Sequence, residues 1–262
     1  MIQGPALALP AELLAGEVAG VFLVFARVGA ALMIVPGFGE HYVLPRLRLA
    51  LALLLSLILA PAVVSTADRL PAEPIALALR LLPELGIGLL LGFAARLALA
   101  AIHVGGSLIA TQSGLAASGM FDPNEATPGT LPGTFLTVAA LAILFAADLH
   151  HLVLRAIAAS YVLFPLGAGF EPAAAGELIL RLVAASLETG ARMAAPMILA
   201  GVLINLSMGA LGRLVPSLPV MFVALPLQLL VAFLILRYSL PAVLHLFDVG
   251  LAGSLDWLRS GG

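Results

Sequence analysis

The chain contains neither cysteine nor lysine, and only 10% of its 262 residues are charged. The absence of cysteine excludes disulfides, thiolate nucleophiles and metal sites with cysteine ligands. The scarcity of charge argues against a soluble domain, because soluble domains carry about 25% charged residues. Since hydrophobic residues make up 62% of the chain, an isolated molecule in water would expose large apolar patches that drive association. The composition therefore predicts a protein inserted in a membrane.

A strong net charge is also lacking. The 12 basic and 14 acidic residues give a formal net charge of −2, so no long-range field favours nucleic acid. The sequence has no phosphate-binding or dinucleotide-binding loop and no spaced set of zinc ligands, and Ser107 lacks the nucleophile elbow of a serine hydrolase. We therefore expect no enzyme activity, no cofactor and no metal. The first ten residues lack a basic region and a cleavage site, so we expect no removed signal peptide.

Two adjacent histidines, His150 and His151, follow Asp148. Neighbouring side chains on a helix point about 100° apart, which disfavours a joint metal site. We interpret this cluster as the polar end of a helix near a membrane interface.

Long apolar segments predict an all-α, polytopic membrane protein, taken as a single domain over residues 1–262. A membrane-spanning helix needs about 20 apolar residues. Candidate helices lie at 13–35, 49–67, 75–110, 131–147, 149–163, 177–211 and 220–236, followed by a separate amphipathic stretch at 238–258. The third and sixth candidates are too long for one bilayer, since about 35 helical residues extend over 50 Å. We expect these two to be broken, the third at Gly105-Gly106, or to continue into protein.

Charged and small residues recur every four positions in the third segment, which places them on one helix face. They are Arg80, Glu84, Gly88, Gly92 and Arg96. A charge at the centre of a membrane helix costs about 2.5–3.5 kcal/mol, so the charges of this face should avoid lipid. Because glycines four residues apart let a second helix approach closely, we predict close helix packing at Gly88 and Gly92. We predict buried contacts for Arg80, Glu84 and Arg96.

A stripe of charged residues also runs along one face of the sixth segment. Glu177, Arg181, Glu188 and Arg192 fall within about 60° of one helix face. Each glutamate precedes an arginine by four residues, which is the favourable orientation for an ion pair. Such a stripe needs a protein neighbour, a water-filled lumen or a position outside the bilayer core. We predict that these four residues make buried charged contacts in an assembly.

The segment from Ser113 to Thr130 is rich in small residues and has one bulky apolar tip. One interpretation is a plain interhelical loop. The other is a flexible pore plug, whose candidate residues are Ser113, Gly114, Leu115, Ser118, Gly119, Met120 and Phe121.

The ordered set of motifs resembles the FliR family of flagellar export-gate subunits, which has a sister group in virulence secretion systems. The motifs that carry the resemblance are Phe25–Gly29, Pro36–Glu40, Pro45–Leu53, Gly86–Arg96, Phe121–Pro123, Asp148–His151, Phe164–Gly167, Ala195–Pro196, Gly209–Pro216, Phe222 and Leu225–Leu227. The resemblance covers about residues 11 to 250.

This resemblance implies a non-enzymatic subunit of the flagellar type III export gate, located in the bacterial inner membrane at the flagellar basal body. It implies long, kinked helices that FliP-like and FliQ-like partner subunits complete in a helical ring. It further implies contact with an FlhB-like protein and passage of unfolded flagellar proteins through the centre. By position, the candidate plug matches the region that the family uses to close the lumen. Membrane lipid is an expected partner and nucleic acid is not.

Two alternatives remain open from the sequence. One is the export-gate subunit of a virulence type III secretion system. The other is a small-molecule transporter, because broken helices with glycine and proline also occur in transporters.

Overall fold

A computed structural model describes residues 8–65, 74–115, 130–167, 169, 171–215 and 220–260. The elements are α1 (Ala8–Ile34), α2 (Pro45–Val64), α3 (Pro74–Ser113), α4 (Leu131–Ala146), α5 (Leu149–Leu163), α6 (Pro172–Leu214), α7 (Val220–Leu255) and α8 (Trp257–Ser260). The described ranges contain no strand. Five helices are long and apolar enough to cross a membrane, or six if α4 and α5 count as one interrupted span. The predicted all-α, polytopic membrane class is confirmed.

Proline and threonine define where two of these helices begin. Pro45 starts α2, since its fixed φ suits the first turn and its missing N–H would have no partner there. Thr130 precedes α4, and its hydroxyl accepts a hydrogen bond from the Gly133 amide at 3.3 Å. This is the usual way in which an N-terminal cap satisfies an orphan amide.

The predicted break in the third segment is wrong, because α3 continues through Gly105 and Gly106 to Ser113. Both glycines lie where helices approach closely. A Cβ on Gly105 would lie 3.0 Å from the Gly190 carbonyl oxygen, and one on Gly106 would overlap the backbone of Gly133. These glycines therefore serve helix packing and do not break the helix.

The separate amphipathic stretch at the C-terminal end is also a wrong prediction. Helix α7 runs without interruption from Val220 to Leu255 and includes Pro226 and Pro241. Proline is tolerated inside membrane helices, where neighbouring groups satisfy the carbonyl oxygens that it leaves unpaired. Helices α3 and α6, with 40 and 43 residues, are likewise unbroken, and each has one internal proline.

The chain forms two compact units. The first comprises residues 1–96, 150–180 and 254–262, and the second comprises residues 97–149 and 181–253. The first unit contains α1, α2, α5 and the first part of α3, and the second contains α4, α7, the end of α3 and most of α6. That the whole chain acts as one domain stays a prediction.

Close packing between α1 and α3 organises the first unit. A Cβ on Gly88 would overlap the Arg27 carbonyl oxygen, and a Cβ on Gly92 would lie 2.7 Å from the carbonyl oxygen of Ala31. Because glycine has no side chain, the two backbones touch along this line. The structure thus places both glycines of the predicted packing site directly against α1.

Burial differs sharply among the candidate spans. The most apolar windows of α1 and α3 are 61% and 67% buried within the chain, whereas those of α2, α6 and α7 are only 17%, 17% and 11% buried. Their apolar side chains, such as Ile58 on α2 and Leu203 on α6, remain exposed. Since exposed apolar area of this extent is unfavourable in water, these faces require lipid or another protein.

Candidate functional site

A fully buried ion pair joins α1 to α3 within the first unit. Arg27 Nε donates a hydrogen bond to Glu84 Oε2 at 2.6 Å, and neither side chain is exposed. Arg27 lies in the middle of the apolar helix α1, one helical turn before Ala31. The charged group therefore enters the same seam that Gly88 and Gly92 bring together.

Helix α5 and the turn after it supply the remaining neighbours of the pair. Arg27 Nη1 donates to the Phe164 carbonyl oxygen at 2.9 Å and to Ser160 Oγ at 3.3 Å. The guanidinium lies 4.1 Å from the centroid of the Tyr161 ring, within the range of a cation–π interaction. On the other side, Glu84 Oε1 accepts a hydrogen bond from the Gly167 amide at 2.9 Å.

The turn at Gly167 depends on glycine. Its φ of 77° lies in the left-handed region, which residues with a side chain rarely adopt. In addition, a Cβ there would lie 2.8 Å from Arg80 Nη1. Arg80 is half-buried beside this turn, so the turn presents its amide to Glu84 while leaving room for a second arginine.

This cluster can hold three helices together, but the groups present do not form a catalytic constellation. The ion pair and the hydrogen bonds to Arg27 Nε, Arg27 Nη1 and both Glu84 oxygens offset part of the large cost of removing the two charges from water. Arg27 Nη2 has no hydrogen-bond partner among the described residues. We interpret Arg27–Glu84 as a structural clamp between α1, α3 and α5.

A second ion pair fixes the connection between α1 and α2. Arg96 Nη1 lies 2.5 Å from Glu40 Oε1, with the arginine about two-fifths exposed. From the start of α2, Arg48 donates to the carbonyl oxygens of Glu40 and Val43 at 2.8 and 3.3 Å. Desolvation, and then the Glu40 carboxylate, raise the pKa of the Tyr42 phenol above its ordinary value, so this tyrosine is neutral at physiological pH.

The charged stripe of α6 is exposed in the isolated chain at Glu177, Arg181, Glu188 and Arg192. Arg192 Nη2 lies 2.6 Å from Glu188 Oε1, and the two side chains are 68% and 63% exposed. This pair lies within one helix, one turn apart. The predicted burial of the stripe concerns an assembly and stays a prediction.

The candidate plug is described only at its N-terminal end. Ser113 is buried, and its hydroxyl donates to the Ala110 carbonyl oxygen at 3.1 Å. Gly114 has a φ of 77° and turns the chain out of α3. Leu115 donates its amide to Ser113 Oγ at 3.4 Å. The candidates Ser118, Gly119, Met120 and Phe121 lie outside the described residues.

The two adjacent histidines come closer together than simple helical geometry predicts. The ring centroids of His150 and His151 are 4.1 Å apart, with 39° between the ring planes. The angular argument against joint ligation therefore does not hold for this pair. That the protein needs no metal stays a prediction.

Arg27 is the residue that sequence reasoning missed. The sequence analysis includes Arg27 within the motif Phe25–Gly29 and places its partner Glu84 on the charged helix face of the third segment. The available signal was an arginine inside a largely apolar span whose other charge is Glu17, since a charge within a membrane helix nearly always pairs with another group of the protein. With Glu84 in another apolar segment, the two opposite charges could have been paired from sequence.

Comparison with known proteins gives consistent matches along most of the chain. Residues 18–253 match the family described as Bacterial export proteins, family 1. The flagellar biosynthetic protein FliR of Caulobacter vibrioides is 36% identical over 84% of this chain and 88% of its own length. The FliR of Bacillus subtilis is 31% identical over 82% of this chain and 83% of its own length. The Yop proteins translocation protein T of Yersinia pestis is 29% identical over 58% of this chain and 59% of its own length.

Glu84→Gln should destabilise the protein by about 3–5 kcal/mol, because it leaves the Arg27 charge buried without its counter-ion. The double variant Arg27→Met with Glu84→Leu should recover most of this loss, since two apolar side chains replace the pair. The measurement is reversible unfolding of the purified chain in detergent.

The matched control is Glu188→Gln, which removes a carboxylate from an exposed ion pair. Its expected effect is about 0–1 kcal/mol. A Glu84→Gln loss no larger than that of the control would contradict the clamp.

Proposed function

We infer the function from the family to which the chain belongs, the bacterial export proteins, family 1. The chain is a component of the flagellar type III protein-export apparatus. The resemblance drawn from the sequence motifs is thereby confirmed. The protein lies in the bacterial inner membrane, to which its five or six candidate spans are suited. The role proposed for it is structural, because the buried charges of Arg27 and Glu84 make contacts between helices.

The flagellar assignment is favoured over the virulence system. The match to the FliR of Caulobacter vibrioides covers 84% of the chain at 36% identity, against 58% at 29% for the Yersinia translocation protein. Both relatives are named as flagellar biosynthetic or translocation proteins, so the comparisons favour protein export over a small-molecule transporter.

The finer proposal is that the chain completes a channel together with FliP-like and FliQ-like subunits, in contact with an FlhB-like protein. The observation that carries it is the exposure of Glu177, Arg181, Glu188 and Arg192 on α6. Each charge at the centre of a lipid-facing helix would cost about 2.5–3.5 kcal/mol. Because the same helix also exposes apolar side chains such as Leu203, a protein neighbour with matching charges suits this face better than lipid.

Affinity purification of the full chain from native membranes should recover FliP-like and FliQ-like subunits in fixed ratio. The matched experiment uses the same tag on an unrelated protein of the same membrane. Recovery of a stable, lone chain that moves a small solute in liposomes would instead support the transporter. Loss of flagellin export in a deletion strain, with restoration by the wild-type chain, separates the flagellar role from the virulence role.

The exposed pair Glu188–Arg192 allows a direct test of the α6 interface. Each single charge reversal should lower recovery of the complex. The double variant Glu188→Arg with Arg192→Glu preserves an ion pair within α6 but presents reversed charges to a neighbour. Since an exposed pair of this kind contributes only about 0.3–0.5 kcal/mol, the double variant should fold and should still fail to assemble normally.

Ser207→Ala provides the control, because this hydroxyl donates to the Leu203 carbonyl oxygen of its own helix. Full recovery of the complex with the double variant would show that the charges act only within α6. The measurement is the yield of co-purified partner subunits at equal amounts of the tagged chain.

We also propose that the segment following Leu115 closes the channel at rest. Deletion of residues 116–121 should raise ion conductance across membranes that contain assembled gates, because it removes the apolar tip while keeping the described contacts of Ser113 and Leu115. Replacement of residues 68–73, another interhelical connection, by a glycine-serine linker is the control. Unchanged conductance in a correctly assembled deletion variant would reject the plug.

A further inference from the structure

The second unit contains an apolar cavity of about 460 Å³. Its walls come from three helices: Ile109 and Leu115 at the end of α3, Leu131 and Phe135 at the start of α4, and Phe233 and Leu236 on α7. This volume lies within the range of about 300–1,000 Å³ that is usual for small-molecule sites. The cavity is thus large enough for a ligand and is built to hold an apolar one.

One charged residue lines this otherwise apolar cavity. Arg237 contributes to the wall between Leu236 and Leu240, and its side chain is exposed. Its guanidinium lies 5.9 Å from the centroid of the Tyr238 ring. Arginine and tyrosine side by side are typical of a membrane interface, where a polar head group meets the hydrocarbon. The cavity therefore has an almost entirely apolar lining, with Arg237 as its one charged wall residue.

The beginning of α4 adds to this polarity. Leu131 and Pro132, the first two residues of that helix, line the cavity. The N-terminal end of a helix carries a partial positive charge, which has the same sign as the Arg237 guanidinium. Both features favour a ligand whose polar end is negative.

We propose that this cavity binds an anionic phospholipid, with an acyl chain between α3, α4 and α7 and its phosphate beside Arg237. An arginine guanidinium can donate two parallel hydrogen bonds to a phosphate. A net negative head group adds charge complementarity that a zwitterionic lipid lacks. An apolar side chain of a partner protein would fill the cavity without using the cation. The lipid is thus the occupant that matches both the walls and the charge, and this site does not depend on the proposed channel.

The test uses the full chain purified in mild detergent and placed in vesicles of phosphatidylglycerol and phosphatidylcholine in equal amounts. Native mass spectrometry then measures which lipid stays bound. The wild-type chain should retain phosphatidylglycerol about fivefold over phosphatidylcholine, as expected for one arginine near an anionic head group. Arg237→Gln should abolish this preference.

Arg213→Gln is the matched control, because Arg213 is an exposed arginine of the same unit that does not line the cavity. It should leave the preference unchanged. Ala232→Phe places a bulky ring at a buried position of the wall and should reduce retention of both lipids. If that variant fails to fold, a second measurement compares how much added phosphatidylglycerol stabilises the wild-type chain and Arg237→Gln. The wild-type chain should be stabilised more.

Three outcomes would overturn the proposal. The first is equal retention of both lipids by the wild-type chain. The second is an equal loss of preference in Arg237→Gln and Arg213→Gln, which would indicate a general surface charge effect. The third is lipid binding that arises only after deletion of residues 116–129, which would show that the chain itself covers the cavity.

Discussion

The buried ion pair between Arg27 and Glu84 is the interaction on which the first unit depends. Two opposite charges are removed from water between α1 and α3, at an atom separation of 2.6 Å. Such a pair is tolerated only if the surrounding groups satisfy the charges. Here α5 contributes the Ser160 hydroxyl, and the turn after it contributes the Phe164 carbonyl oxygen and the Gly167 amide. The pair thus fixes the positions of three helices relative to one another within this unit.

Glycine makes this arrangement possible. Gly88 allows α3 to touch the backbone of α1 at Arg27 itself, and Gly92 repeats the contact one turn later. A larger side chain at either position would separate the helices and lengthen the short bond between Arg27 and Glu84. Gly167 adds a left-handed turn that aims an amide at the carboxylate. Packing and electrostatics therefore support the same register.

The sequence is sufficient for the helical class and for most helix positions, because apolar length is a local signal. It failed where a local signal had more than one cause. The sequence predicts a break at Gly105 and Gly106, whereas in the structure these glycines permit contact with Gly190 and Gly133. Likewise, the sequence predicts a helix end at residue 236 and a separate stretch from residue 238, whereas α7 continues to Leu255. Periodicity does not indicate the partner of Arg27, because the pair spans 57 residues of sequence; the signal for this pair is two opposite charges in two membrane-grade segments.

The contrast between the two kinds of charge suggests how the protein combines stability with assembly. Arg27 and Glu84 are fully buried and paired with each other inside the chain, so their ion pair can form before any partner is present. The pair Glu188–Arg192 lies largely exposed on α6, whose apolar window is only 17% buried. A buried pair stabilises one subunit, whereas an exposed stripe beside apolar side chains lowers the free energy only when a neighbour covers it. In the assembly proposed above, this division would let each chain fold in the membrane and would keep the surface of α6 available for a neighbouring subunit.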